Sequence, residues 1–175
     1  MITRLVLATA MAVSTVAAPA AAADAKPRTF KSAPCAPGGV CAEIYKYVPL
    51  GNALTSLEIR APASGTALVT LTGTMQCVNS SSGNYNKRVV DVSGQIVKQG
   101  EIPSSAGPNA TRFAMRMPPR STSYEESVAV NLATTRLFDV TRGKTTFEYW
   151  IVYNRVDEDT WCAIFDLNLT ALYVP

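Results

Sequence analysis

Four cysteines are the side chains of this sequence best placed for covalent chemistry: Cys35, Cys41, Cys77 and Cys162. Zinc binding is disfavoured, because the chain has no histidine and no close CxxC pair. An even number of cysteines in an oxidising compartment favours disulfides, and four cysteines allow three pairings. Cys35 and Cys41 flank the turn-forming segment Ala-Pro-Gly-Gly-Val. We therefore predict the pairs Cys35–Cys41 and Cys77–Cys162.

The second predicted disulfide conflicts with the alternation of the strands that carry it. Cys77 shares the apolar parity that begins at Val69, whereas Cys162 shares the polar parity of Asp166 and Asn168. A β-bulge adds one residue to one strand and reverses the parity beyond it. The pairing therefore predicts a bulge, or a strand end, near one of the two cysteines.

Histidine-dependent catalysis is excluded by composition. Without histidine there is no Ser-His-acid or Cys-His arrangement, and no GxSxG, Walker or HExxH motif occurs. Two disulfides would leave no thiolate nucleophile. A pair of carboxylates of the glycosidase kind stays open, because sequence does not give the distance between them. We predict that the protein is not an enzyme, with a hydrolase of unrecognised type as an alternative.

The acidic run Asp157–Asp159 could hold calcium between two strands, since calcium prefers clustered oxygen ligands. The run lacks the Asp-x-Asp-x-Asp-Gly order of a calcium loop. A charged hairpin turn is the favoured interpretation, and no metal or cofactor is predicted.

Several aromatic and cationic residues are candidates for ligand binding: Tyr45, Tyr47, Tyr124, Trp150, Arg112 and Arg116. Flat aromatic rings that face solvent can hold sugars or partner surfaces, although such rings are commonly core residues. The two arginines share one face of a predicted strand. They form either an anion-binding stripe or a sheet edge protected by charge.

The N-terminus, residues 1–23, has the order of a secretory signal. Arg4 supplies the positive charge, Leu5–Ala18 is almost wholly apolar, and Pro19 breaks the run before the small residues Ala21, Ala22 and Ala23. The apolar run is shorter than the about 20 residues of a membrane span. We expect cleavage after Ala23 or Ala25 and a secreted or periplasmic protein with no membrane span in its mature form.

The remaining residues have the composition of one compact β domain. The net charge of +3 is too small to indicate a nucleic-acid partner. Residues 24–40 form a Pro-rich lead-in that we expect to be loosely held until Cys35, and residues 41–175 form the domain. Within the domain, short alternating segments follow one another between turn signals, and Gly94 marks a candidate bulge. This pattern predicts an antiparallel β-sandwich supported by disulfides.

The last two predicted strands should build the centre of the core. Phe147–Tyr153 is apolar on both faces, which is typical of a central strand. In the closing strand, seven same-parity apolar residues are expected on one face: Trp161, Ala163, Phe165, Leu167, Leu169, Ala171 and Tyr173.

The C-terminal quarter resembles the closing part of C1q/TNF-like jelly rolls. The resemblance lies in Leu137–Gly143, then Thr146–Tyr153, and a final apolar strand that ends at Leu172–Pro175. It implies a jelly-roll sandwich that is extracellular, often trimeric and non-catalytic. The sequence has no collagen-like stalk, so a monomer and a homotrimer are both open.

These observations predict a secreted, non-catalytic binding module of jelly-roll type. It would recognise a surface, glycan or protein partner, extracellular or periplasmic, through loops or an exposed sheet face. The alternative to a binding module is a structural or assembly protein of the envelope or extracellular matrix.

Overall fold

The computed structural model describes residues 26–32, 39–45, 53–80, 88–104, 106–107, 109–118 and 126–175. Within these residues the chain forms nine β-strands and no helix: β1 Arg28–Lys31, β2 Val40–Tyr45, β3 Thr55–Ala61, β4 Gly65–Asn79, β5 Arg88–Lys98, β6 Thr111–Met117, β7 Glu126–Val140, β8 Gly143–Val156 and β9 Thr160–Val174. In this part of the chain there is no helix that could cross a membrane.

The strands form two antiparallel sheets that pack face to face. The first sheet has the order β1-β9-β4-β7, with β2 also paired to β9, and the second has the order β3-β8-β5-β6. From β4 onward the chain passes between the sheets as in a jelly roll: β4, β7 and β9 belong to the first sheet, and β5, β6 and β8 to the second. Strand β9 therefore lies between β1 and β4. The predicted all-β, antiparallel, jelly-roll sandwich is confirmed.

The core lies between the sheets and follows the alternation of the strands. Val69, Leu71 and Met75 of β4 are fully buried, as are Phe147 and Tyr149 of β8. The rings of Phe138 in β7 and Phe147 lie 4.8 Å apart at a tilt of 42°. Alternate residues of a strand point to opposite faces, so every second side chain of these strands enters the core.

A disulfide joins Cys77 of β4 to Cys162 of β9, which confirms the predicted pair. The two residues are directly opposite each other in the β4–β9 ladder, and both are fully buried. Cys41 is disulfide-bonded as well. Its predicted partner Cys35 lies outside the described residues.

Strand β9 contains the bulge that the parity conflict predicts. Thr72 is opposite Asn168, whereas Thr74 is opposite Phe165, so β9 has one residue more than β4 between these pairs. Asp166 has a φ of +53° at this point. The bulge reverses the parity of β9, so that Leu167 and Cys162 both face the core.

The bulge corrects the expectation that seven alternate residues of β9 share the core face. Leu167, Leu169, Ala171 and Tyr173 do belong to the core. On the N-terminal side of Asp166, Cys162 and Ile164 occupy the core positions instead. The three remaining residues therefore project from the outer face of the sheet: Trp161, Ala163 and Phe165.

The lead-in is not loosely held throughout. Residues Arg28–Lys31 form an antiparallel strand with Thr170–Tyr173 of β9. The amide of Ser32 donates to the carbonyl of Leu169 at 2.7 Å, and the amide of Leu169 donates to Oγ of Ser32 at 2.9 Å. Phe30 packs against the core. A four-residue strand among polar and proline residues has too little alternation to be recognised from sequence.

Gly94 is not at a bulge, and the extra residue of the β5–β8 ladder is Asn154 of β8. The β5–β8 register shifts between Asp91 and Val92 instead. At Gly94 an added Cβ would lie 2.0 Å from the phenolic oxygen of Tyr149, so this position needs glycine to leave room for the ring.

The two core tyrosines give a matched prediction about stability. The hydroxyl of Tyr149 is buried and has no hydrogen-bond partner in the described part of the chain, and burial raises its pKa. The hydroxyl of Tyr173 donates to the carbonyl of Ala63 at 2.9 Å. Tyr149→Phe should raise the free energy of unfolding by about 1 kcal/mol, and Tyr173→Phe should lower it by about 1 kcal/mol. Urea denaturation of both variants measures the free energy of unfolding. An equal loss of stability in both would contradict the assignment of one unpaired and one hydrogen-bonded hydroxyl.

Removing the disulfide between β4 and β9 should destabilise the protein strongly. The bond spans 85 residues, and the chain-entropy model assigns a loop of that length about 4–5 kcal/mol. We expect Cys77→Ala with Cys162→Ala to lower the melting temperature much more than Cys35→Ala with Cys41→Ala. Calorimetry of the two double variants compares them, and equal decreases would contradict the dominant role of the longer loop.

Candidate binding face

The outward surface of the first sheet has few charged residues: Lys31 of β1, Glu43 of β2, Asp139 of β7 and Asp166 of β9. Its central strand β4 contains no charged residue, and its threonines 66, 70 and 72 project outward in alternation with the buried core positions. In the neighbouring strands β7 and β9, the outward charges among residues 127–140 and 160–174 are Asp139 and Asp166. We call this surface the outer face. Its centre, on β4, is uncharged.

Aromatic side chains meet at one end of the outer face. Tyr45 of β2 is directly opposite Trp161 of β9, which is in turn opposite Val78 of β4. The adjacent residues Ile44 and Cys162 face the core, so Tyr45 and Trp161 project outward. Trp161 is partly exposed and Tyr45 is 43% exposed.

The hydroxyl of Tyr45 is hydrogen-bonded to another residue of β2. It donates to Oε2 of Glu43 at 2.7 Å, and this hydrogen bond, with a smaller contribution from burial, raises the pKa of Tyr45. Glu43 is opposite Ala163 on the outer face. The bond restrains the ring beside Trp161 and places a carboxylate at the edge of the aromatic pair.

Trp161 and Phe165 were missed as site residues in the sequence. Simple alternation assigns both to the core, and only the bulge at Asp166 turns them outward. The conflicting parity of Cys77 and Cys162 was the sequence signal that could have indicated the outward direction of these two residues. Gly73 lies opposite the bulge, where an added Cβ would be 3.0 Å from Leu167 Cδ1.

The opposite end of the outer face carries a row of leucines. Leu68 of β4 is opposite Leu137 of β7 on one side and Leu172 of β9 on the other. These side chains are 40%, 62% and 42% exposed. Such a row of exposed leucines across three strands is an apolar patch that can contact a partner.

Polar side chains fill the surface between the aromatic end and the leucine row. Gln76 donates to Oγ of Ser127 at 3.2 Å, and the hydroxyls of Thr70 and Thr135 are 3.1 Å apart. Hydroxyl and amide groups on an exposed sheet face can donate to and accept from sugar hydroxyls.

The outer surface of the second sheet is different, because it contains a charged network. Arg112 of β6 forms a bidentate ion pair with Asp91 of β5, with Nε 2.9 Å from Oδ1. The amide of Asn154 donates to Asp91 at 3.1 Å and to Oγ of Ser93 at 2.9 Å. The hydrogen bond from Arg112 holds the pKa of Asp91 below its usual value. The charge of Arg112 is therefore compensated within the protein.

The candidate residues predicted from sequence do not form one site. Trp150, Arg112 and Arg116 lie on the second sheet, whereas Tyr45 lies on the first. The indole of Trp150 donates to Oε2 of Glu148 at 3.0 Å, and Arg116 is exposed opposite Val89. Tyr47 and Tyr124 lie outside the described residues.

The acids of the turn before β9 are engaged in contacts with β5 and β8. Asp157 accepts from the Nε of Arg155 at 2.7 Å and from the amide of Val89 at 2.8 Å, and these contacts, led by Arg155, lower the pKa of Asp157. Asp159 pairs with Arg88 at 3.2 Å. Among the described residues, no group of three or more His, Cys, Asp or Glu is placed to hold a metal ion.

A shallow depression of about 330 Å³ lies at the junction of β5 and β8. It is lined by Lys98, Gln99, Lys144, Thr145 and Thr146. No carboxylate is among these lining residues, so the depression has no paired acids for glycoside hydrolysis.

Comparison with known proteins adds little to this geometry. No family model and no curated protein matches the chain. The CBM35 from Cellvibrio japonicus Abf62 matches 83% of this chain and 92% of its own, with 12% identity and a TM-score of 0.32. A chain of the T13 IBDV viral particle matches 94% of this chain and 35% of its own, with 13% identity and a TM-score of 0.32. A TM-score of 0.32 is too low to transfer a ligand or a role.

The charged network on the second sheet predicts a stability that falls in acid. Asp91 and Asp157 have lowered pKa values in the folded protein, so their contribution is complete above the unfolded-state pKa of about 3.9 and is lost as the pH falls through the folded values. Urea unfolding should show the free energy of unfolding decreasing below about pH 5. Asp91→Asn should flatten this decrease, and the exposed control Asp139→Asn should retain it. An unchanged slope in Asp91→Asn would contradict the role of this ion pair.

Proposed function

We propose that the protein is a secreted, non-catalytic binding module that holds a neutral glycan against the aromatic end of the outer face. Trp161 and Tyr45 provide adjoining rings for stacking on a sugar. Glu43, Gln76 and Ser127 provide hydrogen-bonding groups beside them. The observation that carries the proposal is the direct cross-strand pairing of Tyr45 with Trp161 on an outward surface.

The electrostatics of the outer face favour a neutral ligand. A polyanion would need clustered cationic side chains, and among the described residues the outer face has one cation, Lys31, against three carboxylates: Glu43, Asp139 and Asp166. An aromatic ring with a polar neighbour suits a sugar, which presents an apolar ring face and polar hydroxyls at its rim. An open sheet face is also accessible to a long chain, whereas a deep pocket would admit only a chain end.

Two features support an extracellular location. The leader of residues 1–23 has the charged, apolar and small-residue order of a secretory signal. The disulfide between Cys77 and Cys162 is of the kind that persists in oxidising compartments.

The leucine row favours a second candidate function. Leu68, Leu137 and Leu172 form an exposed apolar row rather than a polar surface. A protein partner or an assembled layer would bury such a row. An envelope or matrix component that contacts another protein through this end of the face is therefore the alternative.

Binding to soluble neutral polysaccharides tests the proposed function. In affinity electrophoresis through gels that contain β-glucan, xylan or mannan, at least one polymer should retard the mature protein. Trp161→Ala and Tyr45→Ala should each weaken that binding about tenfold, because a stacked aromatic ring is worth about 0.5–1.5 kcal/mol beyond its buried area. The control Trp150→Ala removes an aromatic ring from the other sheet and should bind as the parent does.

Two outcomes would contradict the glycan proposal. Binding that survives in Trp161→Ala but is lost in Trp150→Ala would move the site to the second sheet. If none of the polysaccharides retards the parent protein, the glycan ligand is wrong and the alternative of a protein contact is favoured.

A further inference from the structure

Strand β7 forms one edge of the first sheet. Its fifteen residues pair with β4 along their whole length, and β7 has no other strand neighbour in the described part of the chain. The backbone amides and carbonyls on the far side of such a strand point away from the sheet. They are a template to which another extended segment can add.

The other sheet edges are short or carry charged residues. Strand β6 carries Arg112 and Arg116, and β3 carries Glu58, which pairs with Lys144. Strand β1 is only four residues long. Charges and short strands of this kind protect edges from pairing with other molecules.

Strand β7 lacks these protections over Ser127–Thr135. The sequence of this segment is SVAVNLATT, with no charged residue, proline or glycine. It is rich in β-branched residues that favour extended structure. Strand β2, on the other side of the first sheet, differs from β7 because it carries Glu43 and a bulge.

The segment is also symmetric in side-chain character about Asn131. An antiparallel copy centred there would place Ser127 opposite Thr135, Val128 opposite Thr134, Ala129 opposite Ala133, Val130 opposite Leu132, and Asn131 opposite itself. Each pair joins residues of similar size and none places like charges together, as a self-complementary two-fold contact requires.

The burial of the segment is compatible with this contact. Ser127, Ala129, Asn131 and Ala133 are exposed on the outer face. Val128 and Val130 pack against the core but are only partly buried. In a two-fold pair, Leu132 and Thr134 of the second copy would cover the exposed flanks of these valines.

We propose that two copies of this chain associate through antiparallel pairing of their β7 strands, with the two-fold axis at Asn131. The axis is perpendicular to the sheet, so the two first sheets become continuous and both outer faces lie on the same side. The contact brings two aromatic ends into one surface, which would raise avidity for a repeating ligand. The association does not depend on what the outer face binds.

A charge at the axis provides the first test. Asn131→Lys places two ammonium groups opposite each other across the paired strands, where like charges destabilise. The control Thr72→Lys adds the same charge to the outer face on the interior strand β4. By analytical ultracentrifugation the mature protein and Thr72→Lys should be dimers, and Asn131→Lys should dissociate at least about tenfold more readily.

A cross-link provides the second test, which does not require the charged variant to fold. Asn131→Cys should form a covalent dimer on oxidation, because residues directly opposite in an antiparallel pair have Cα atoms about 4.5–5.5 Å apart. Thr72→Cys should not. A monomer at all concentrations, a trimer, or a dimer that neither Asn131 variant affects would overturn the proposal.

Discussion

The β-bulge at Asp166 determines which side chains of β9 reach the core and which reach solvent. Strand β9 lies between β4 and the pair β1 and β2, so it must contribute to the core along its whole length. One extra residue lets Leu167 and Cys162 both point inward although they have opposite parity. The inward direction of Cys162 permits the disulfide to Cys77. The same reversal sends Trp161 outward, so the covalent link and the candidate binding face have one structural cause.

The outer surfaces of the two sheets differ in how their charges are arranged. On the second sheet Arg112, Asp91 and Asn154 satisfy one another, and such a network mainly supports the fold. On the first sheet the central polar groups are uncharged hydroxyls and amides, with aromatic rings at one end, leucines at the other and a few charges towards the edges. Uncharged polar groups cost less to desolvate than charged groups, which favours contact of the central surface with a neutral ligand or with another protein. The uncharged segment Ser127–Thr135 of the edge strand β7 continues this surface.

The fold was largely accessible from the sequence, because alternation, turn signals and an even cysteine number all indicate the same sandwich. The cross-strand disulfide was accessible as well. The site was not, because a bulge is a single-residue event that alternation assigns to the wrong face: it placed Trp161 in the core. Strand β1 was missed because four residues carry too little pattern, and Gly94 was misread because its role depends on the ring of Tyr149 across the sheet. Tyr45 was identified, but its neighbour Trp161 follows only from the β2–β9 register.

Fluorescence of a single-tryptophan variant tests the outward position of Trp161 most directly. The chain has two tryptophans, so Trp150→Phe leaves Trp161 as the only indole emitter. If the bulge turns Trp161 to the outer face, acrylamide should quench its emission in the folded protein, and Trp161 should emit at longer wavelength than a core indole. Emission at short wavelength that acrylamide quenches only after unfolding would place Trp161 in the core and contradict both the bulge and the binding face built on it.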